Sequence, residues 1–177
     1  LYGRFLELTE QLHGKELSYN NIVDINAAMQ LMLEFGGASQ PVVAILKHNT
    51  PCGVATAATD AEAYRRAYAT DPDSPFGGII ISNRVWSVEL AQVVDEIFSE
   101  VLIAPDFEPA ALEILRKKKN RRLMRWHPDR IRRDERDYKR VYGGLLVQDA
   151  DIAMEDPRQG RVVTKRSPTE AELRGLV

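Results

Sequence analysis

Lys47 and His48 stand side by side in Lys-His-Asn-Thr-Pro-Cys-Gly, residues 47–53, directly after the apolar run that ends at Leu46. An imidazole can take or give a proton near neutral pH. An ammonium can balance a phosphate or the oxyanion of a tetrahedral intermediate. Pro51 and Gly53 suit a fixed turn with close backbone approach to a ligand. The same residues also fit a surface lysine beside a hydrogen-bonded histidine, so the segment alone leaves both readings open. Cys52 next to His48 suggests a thiol nucleophile, but neighbours in sequence rarely have the geometry of a dyad. A zinc deaminase site needs Pro-Cys-x-x-Cys and His-x-Glu. The second cysteine is missing, because Cys52 is the only one, and none of His13, His48 and His127 has a glutamate two places on. Zinc is excluded on ligand count.

Four further segments carry candidate chemistry. Asp71-Pro72-Asp73-Ser74-Pro75-Phe76-Gly77-Gly78 runs into the apolar triplet Ile79–Ile81, and its paired glycines permit close approach to a flat or anionic ligand, or a tight turn. Glu100 precedes the apolar run 101–104, where a carboxylate needs a partner or a ligand amine. Asn20, Asn21 and Asp24 suit the cap of a first helix, and an asparagine amide also suits an amide ligand. Between Arg116 and Arg133 there are ten Lys or Arg residues and a single acid, Asp129, with Trp126 and His127 interleaved. That block suggests nucleic acid, a phosphate site or a solvated helix end. Acids at 134, 135 and 137 and a net charge of −2 favour the last.

The elements that must position these residues alternate. Ile22, Ile25, Met29, Met32 and Leu33 recur at helical spacing until Gly36-Gly37. Residues 42–46 read as a strand buried on both faces, 79–81 as a second buried strand and 101–104 as a third, short one closed by Pro105. Helices are expected from Asp60 as cap to Asp71-Pro72, along Val88, Ala91, Val94, Ile97 and Phe98, and from Glu108-Pro109 through Leu115. Leu145–Val147 and Arg161–Thr164 read as further strands, and a helix starts near Pro168. The pattern predicts an α/β fold with a mainly parallel central sheet flanked by helices. The 177 residues allow one domain or one lobe, 44% hydrophobic content argues against disorder, and no apolar run is long enough to span a membrane. Both ends read as cut from a longer chain.

In their order, Gly-Lys-Glu-Leu-Ser-Tyr-Asn-Asn-Ile (14–22), Lys-His-Asn-Thr-Pro-Cys-Gly (47–53), Asp-Pro-Asp-Ser-Pro-Phe-Gly-Gly (71–78), Glu-Val-Leu-Ile-Ala-Pro (100–105), Lys-Lys-Asn-Arg-Arg-Leu (118–123), Val-Tyr-Gly-Gly-Leu-Leu-Val-Gln (141–148) and Val-Val-Thr-Lys-Arg (162–166) resemble the transformylase domain of one bifunctional family. In that family phosphoribosylaminoimidazolecarboxamide formyltransferase is joined to IMP cyclohydrolase. The resemblance implies a role in de novo purine biosynthesis, with formyl transfer from 10-formyltetrahydrofolate to the 5-amino group of aminoimidazole carboxamide ribotide. It implies that residues 1–177 form the first, cytidine-deaminase-like lobe without zinc. The cyclohydrolase domain would lie upstream, and a second lobe with much of the folate pocket and a monovalent-cation site downstream. It further implies a cytoplasmic homodimer that binds neither nucleic acid nor membrane, with active sites at the subunit interface, and an isolated lobe without activity. By similarity His48 takes the proton and Lys47 stabilises the oxyanion, while Asn21, Phe76, Gly77 and Glu100 contact the ribotide. The alternative is a non-catalytic nucleotide-binding module of the same fold.

Overall fold

The computed structural model describes residues 1–132, 136–152 and 156–175. Arg133, Asp134 and Glu135 at the end of the basic block, and the chain end at Val177, lie outside the described residues. The chain divides into two compact units, Leu1–Ile131 and Arg132–Val177.

In the first unit the elements run α1 (Phe5–Leu8), β1 (Thr9–His13), α2 (Tyr19–Leu33), β2 (Val42–Lys47), β3 (Thr50–Thr56), α3 (Asp60–Thr70), β4 (Ile79–Ser82), α4 (Val88–Asp95), β5 (Val101–Ala104), α5 (Pro109–Leu115) and β6 (Arg122–Trp126). The six strands form one sheet in the order β1-β6-β5-β4-β2-β3. The β4–β5 and β5–β6 pairs are parallel; β1–β6, β2–β3 and β2–β4 are antiparallel. The sheet is therefore mixed: β3, β4, β5 and β6 point one way, and β1 and β2 run against them. Both outer strands are irregular, with register shifts between Gln11 and His13 in β1 and opposite β3 between Ile45 and Leu46.

Alternation along the strands splits the core into two layers. Val43, Ile45, Ile80, Leu102 and Leu123 face Tyr64, Ala67, Leu90, Val94, Ala111 and Leu115 of α3, α4 and α5. Val42, Ala44, Leu46, Ile79, Ile81, Val101, Ile103 and Met124 face Ile25, Ala28, Met29 and Met32 of α2. Buried strands between helical layers explain the continuous apolar runs of β2, β4 and β5.

The helix ends differ from expectation in three places. Ser18, not Asn20 or Asp24, caps α2, and Asn21 completes its capping box from the third helical position. Thr59, not Asp60, caps α3, its hydroxyl accepting from Glu62 N. Asp60 is instead the first helical residue, and its carboxylate accepts from the backbone N–H and the hydroxyl of Ser87, tying α3 to the start of α4. Helix α4 stops at Asp95, short of Ile97 and Phe98. There the Asp95 carboxylate meets Lys118 and the guanidinium of Arg121, and the Phe98 carbonyl accepts from Gly77.

The second unit holds β7 (Arg136–Val141), β8 (Gly144–Asp149) and α6 (Glu170–Gly175). β7 and β8 form an antiparallel hairpin around Tyr142 and Gly143, the glycine at φ +76°. Arg161–Thr164 forms no strand; Thr164 instead turns its hydroxyl onto the Arg166 carbonyl.

Candidate active site

The segment after β2 is a hairpin turn and not an open loop. Lys47 ends β2, Thr50 starts β3, and the two strands pair directly. Only His48 and Asn49 make the turn, at φ +50° and +66°. Two successive left-handed residues are what a tight hairpin requires, and asparagine tolerates that region well. The turn is held from below, because Asn49 N donates to Asp24 Oδ1 of α2 at 2.9 Å. Asp24 thus secures the turn that carries His48, whose side chain is exposed. The glycine of this motif serves packing: a Cβ at Gly53 would collide with the Ala67 carbonyl of α3.

Because β2 runs against β4, its carboxyl end lies beside the amino ends of β4, β5 and β6. The expectation that ligands gather at the carboxyl ends of parallel strands does not describe this arrangement. Lys47, Phe76-Gly77-Gly78 before β4, Glu100 before β5 and Arg122 at the head of β6 all sit at this one margin. Backbone bonds lace them together: Gly77 N donates to Phe98 O at 2.7 Å, Glu100 N to Gly78 O at 2.9 Å and Arg122 N to Glu100 O at 2.9 Å. Gly77 needs its φ of +73°, while a Cβ on Gly78 would lie 2.9 Å from the carbonyl oxygens of Leu46 and Pro75. The second glycine serves strand packing and the first serves the turn.

Lys47 Nζ donates to the Phe76 carbonyl at 3.1 Å and forms no ion pair among the described residues. Phe76 is 65% exposed, and its ring centroid lies 5.6 Å from that of Phe98. On the other side, Asn21 is buried. Its Oδ1 accepts from Ser18 N and Oγ, closing a capping box, and its Nδ2 donates to Glu100 Oε1 at 3.0 Å. The expected residues thus fall into two contacts, Lys47 with Phe76 and Asn21 with Glu100, joined through Gly77 and Gly78. Cys52 is half-buried. Burial pushes its thiol up, the Asp71 charge adds to this and Lys47 opposes it, which disfavours the thiolate that a nucleophile needs. Hydrogen bonds from Ser74 hold the Asp71 carboxyl below its usual range, with a smaller pull from Lys47.

Half of the ten basic residues of the block are tied into the fold, Lys118 among them on Asp95. Arg121 is fully buried on Asp95; Arg122 pairs with Glu100; Arg125 bridges Glu10 and Asp106; Arg130 donates to the Glu7 carbonyl. Arg125 holds the Asp106 carboxyl below its usual range against the opposing effect of burial. Strand β6 itself lies in this block, and its charges concealed it. Arg122, read in the sequence only as part of the basic block, and Asp24, read as a helix cap, are further residues at this margin. A separate cleft of about 500 Å³, lined by Arg4, Glu7, Thr9, Glu10, His127 and Arg130 among others, lies at the β1 margin. Among the described residues no group of three His, Cys, Asp or Glu side chains converges on a metal position, and no helix is long and apolar enough to cross a membrane.

A family model described as AICARFT/IMPCHase bienzyme matches residues 3–177. The chain belongs to the AICARFT/IMPCHase bienzyme family. It is 52% identical over 176 residues to the bifunctional purine biosynthesis protein PurH of Chloroflexus aurantiacus, covering 99% of this chain and 34% of that protein. It is 50% identical over 173 residues to PurH of Pelodictyon phaeoclathratiforme, covering 98% and 33%. The chain spans about a third of the length of these relatives. A solved structure of Acinetobacter baumannii RibD superposes with a TM-score of 0.45 and 11% identity over 57% of this chain and 34% of that one, too loose a likeness to bear on function.

Proposed function

We propose that this chain is the first lobe of an aminoimidazole carboxamide ribotide formyltransferase domain, cytidine-deaminase-like in fold and without zinc. Its parent is a cytoplasmic, homodimeric enzyme of purine biosynthesis that also carries IMP cyclohydrolase. The reaction moves the formyl group of 10-formyltetrahydrofolate to the 5-amino group of the ribotide: the bond from the amine to the formyl carbon forms, the bond from that carbon to folate N10 breaks, and N10 takes up a proton as tetrahydrofolate leaves. That amine is a poor nucleophile, since its lone pair is conjugated into the imidazole ring and carboxamide. His48, at the hairpin tip, takes the proton the amine loses as it attacks. Lys47 stabilises the oxyanion on the formyl carbon. Asn21, Phe76, Gly77 and Glu100 bind the ribotide.

The observation that carries this reading is the state of Lys47: a cation fixed to a neutral carbonyl and to no carboxylate among the described residues. Its charge is preorganised and available, as transition-state stabilisation demands.

The test is formyl transfer by the longest natural reading frame containing these residues. Lys47→Ala should lower kcat about 10²–10³-fold with little change in ribotide affinity. Small, equal losses in kcat and affinity would refute the oxyanion role. For His48→Gln, a pH–rate profile identical to wild type would remove the histidine from proton transfer. Absence of transfer in the long chain, with ribotide still bound, would leave the non-catalytic binding module.

A further inference from the structure

Glu100 is the one acid in the expected set, and a residue outside that set controls it. The Arg122 side chain is only 11% exposed. Its Nε and Nη2 donate to the Glu16 carbonyl at 3.1 and 3.0 Å, and its Nη1 donates to Glu100 Oε1 at 2.9 Å. Asn21 Nδ2 donates to that same oxygen. Both fixed donors thus fall on Oε1. Oε2 has no hydrogen-bond partner among the described residues, and the Glu100 side chain keeps 41% of its surface. A guanidinium is planar, always charged and rigid in its fork. Anchored on one side by the Glu16 carbonyl, it fixes both the position and the charge balance of the carboxylate.

We infer that Arg122 is a positioning residue for substrate binding. With Asn21 it locks Glu100 through Oε1, so that Oε2 faces outward as an acceptor whose charge is already compensated. Such an acceptor suits a neutral N–H or O–H donor, because no ligand cation is needed to balance it. This rests on the formyl-transfer reading, in which the ligand is a ribotide whose carboxamide and 5-amino groups are neutral N–H donors.

The experiment uses the longest natural reading frame, with KM and kcat for the ribotide and for 10-formyltetrahydrofolate measured below the thermal midpoint of each variant. Arg122→Met should raise the ribotide KM about tenfold while the folate KM stays within about twofold. Arg122→Lys keeps the charge and loses the fork, so its ribotide KM should rise only about threefold. Since Arg122 acts through Glu100, adding Arg122→Met to Glu100→Gln should change the ribotide KM little further. An unchanged ribotide KM, equal shifts in both KM values, or additive losses in the double variant would overturn the inference. Should Arg122→Met fail to fold, Arg122→Lys decides: a wild-type ribotide KM rejects the role. Wild-type transfer with any of these contrary results defeats this inference alone; wild-type protein that neither transfers formyl nor binds ribotide defeats the proposed function with it.

Discussion

Arg121 offers the sharpest test of how the basic block is held. Its side chain has no exposed surface, whereas Asp95 retains 29%. The guanidinium meets Asp95 Oδ1 at 2.6 Å, while its contacts to the carbonyls of Ser99 and Ile97 are long, at 3.4 and 3.5 Å. The carboxylate therefore carries most of the compensation. Asp95→Ala strands a buried cation and should cost about 3–5 kcal/mol. Arg121→Met leaves Asp95 partly in water and still beside Lys118 at 3.2 Å. It should cost only about 1–2 kcal/mol, the scale of a lost hydrogen bond to a charged group. The double variant should lie nearer to Arg121→Met than to Asp95→Ala, because hydrophobic replacement of both partners is often close to neutral. Urea unfolding followed by tryptophan fluorescence reads this well, since both tryptophans, Trp86 and Trp126, lie in the first unit. The first-unit transition then gives the free energies at constant m. If Arg121→Met costs as much as Asp95→Ala, or the two losses simply add, the ion pair is not what holds this arginine.

Three further outcomes are expected. Gly53→Ala should destabilise by about 1–3 kcal/mol, since the obstacle is the Ala67 backbone, which cannot swing aside, while Gly37→Ala, with open space around it, should stay within about 0.5 kcal/mol. Burial, with smaller contributions from Tyr68 and Glu96, pushes the Tyr64 hydroxyl from 10.0 up to about 12. Its raised value favours the protonated form in the folded state, so this stability is full below pH 10 and disappears as pH rises through about 12. The contribution is on the order of 2–3 kcal/mol, and Tyr64→Phe should flatten the alkaline loss seen in unfolding curves. Glu172, held by Arg166 and by the backbone and hydroxyl of Thr169, titrates at about 2 instead of 4.5. Its support for the start of α6 is present above pH 4.5 and lost as pH falls through about 2, and a carboxyl ¹³C titration centred near 4.5 would contradict the contact.

Strands β2, β4 and β5 were legible because burial on both faces leaves a continuous apolar signature. The stop at Asp71-Pro72 was legible from local chemistry, whereas the cap of α2 was sought at Asn20, Asn21 and Asp24 and lies at Ser18, with Asn21 completing the box. Strand β6 was not legible, because Arg122 and Arg125 read as solvated charge until their acids arrive, Glu10 from β1 and Glu100 and Asp106 from the two ends of β5. Strand β3 was hidden by Pro51 and Gly53, which read as a loop; Gly53 is there because α3 packs too closely for a side chain. The reversed direction of β2 was not legible either, since a His-Asn turn lacks the glycine that usually announces a two-residue hairpin. That reversal puts Lys47 beside the amino ends of the parallel strands and not at their carboxyl ends. The pairing of Asn21 with Glu100 spans 79 residues of sequence and follows only from the fold.

The two outer strands of the six-stranded sheet have a consequence for behaviour at high concentration. An outermost strand presents unpaired backbone groups on which a stranger's chain can continue the ladder. β3 carries Pro51, which has no N–H to offer, and its register with β2 slips nearby. β1 breaks its register between Gln11 and His13, and its Glu10 is paired back across the ladder to Arg125 of β6. Each margin of the sheet is thus a poor template for recruiting another. The unit should stay dispersed where a flat, regular sheet of the same size would stack into fibrils.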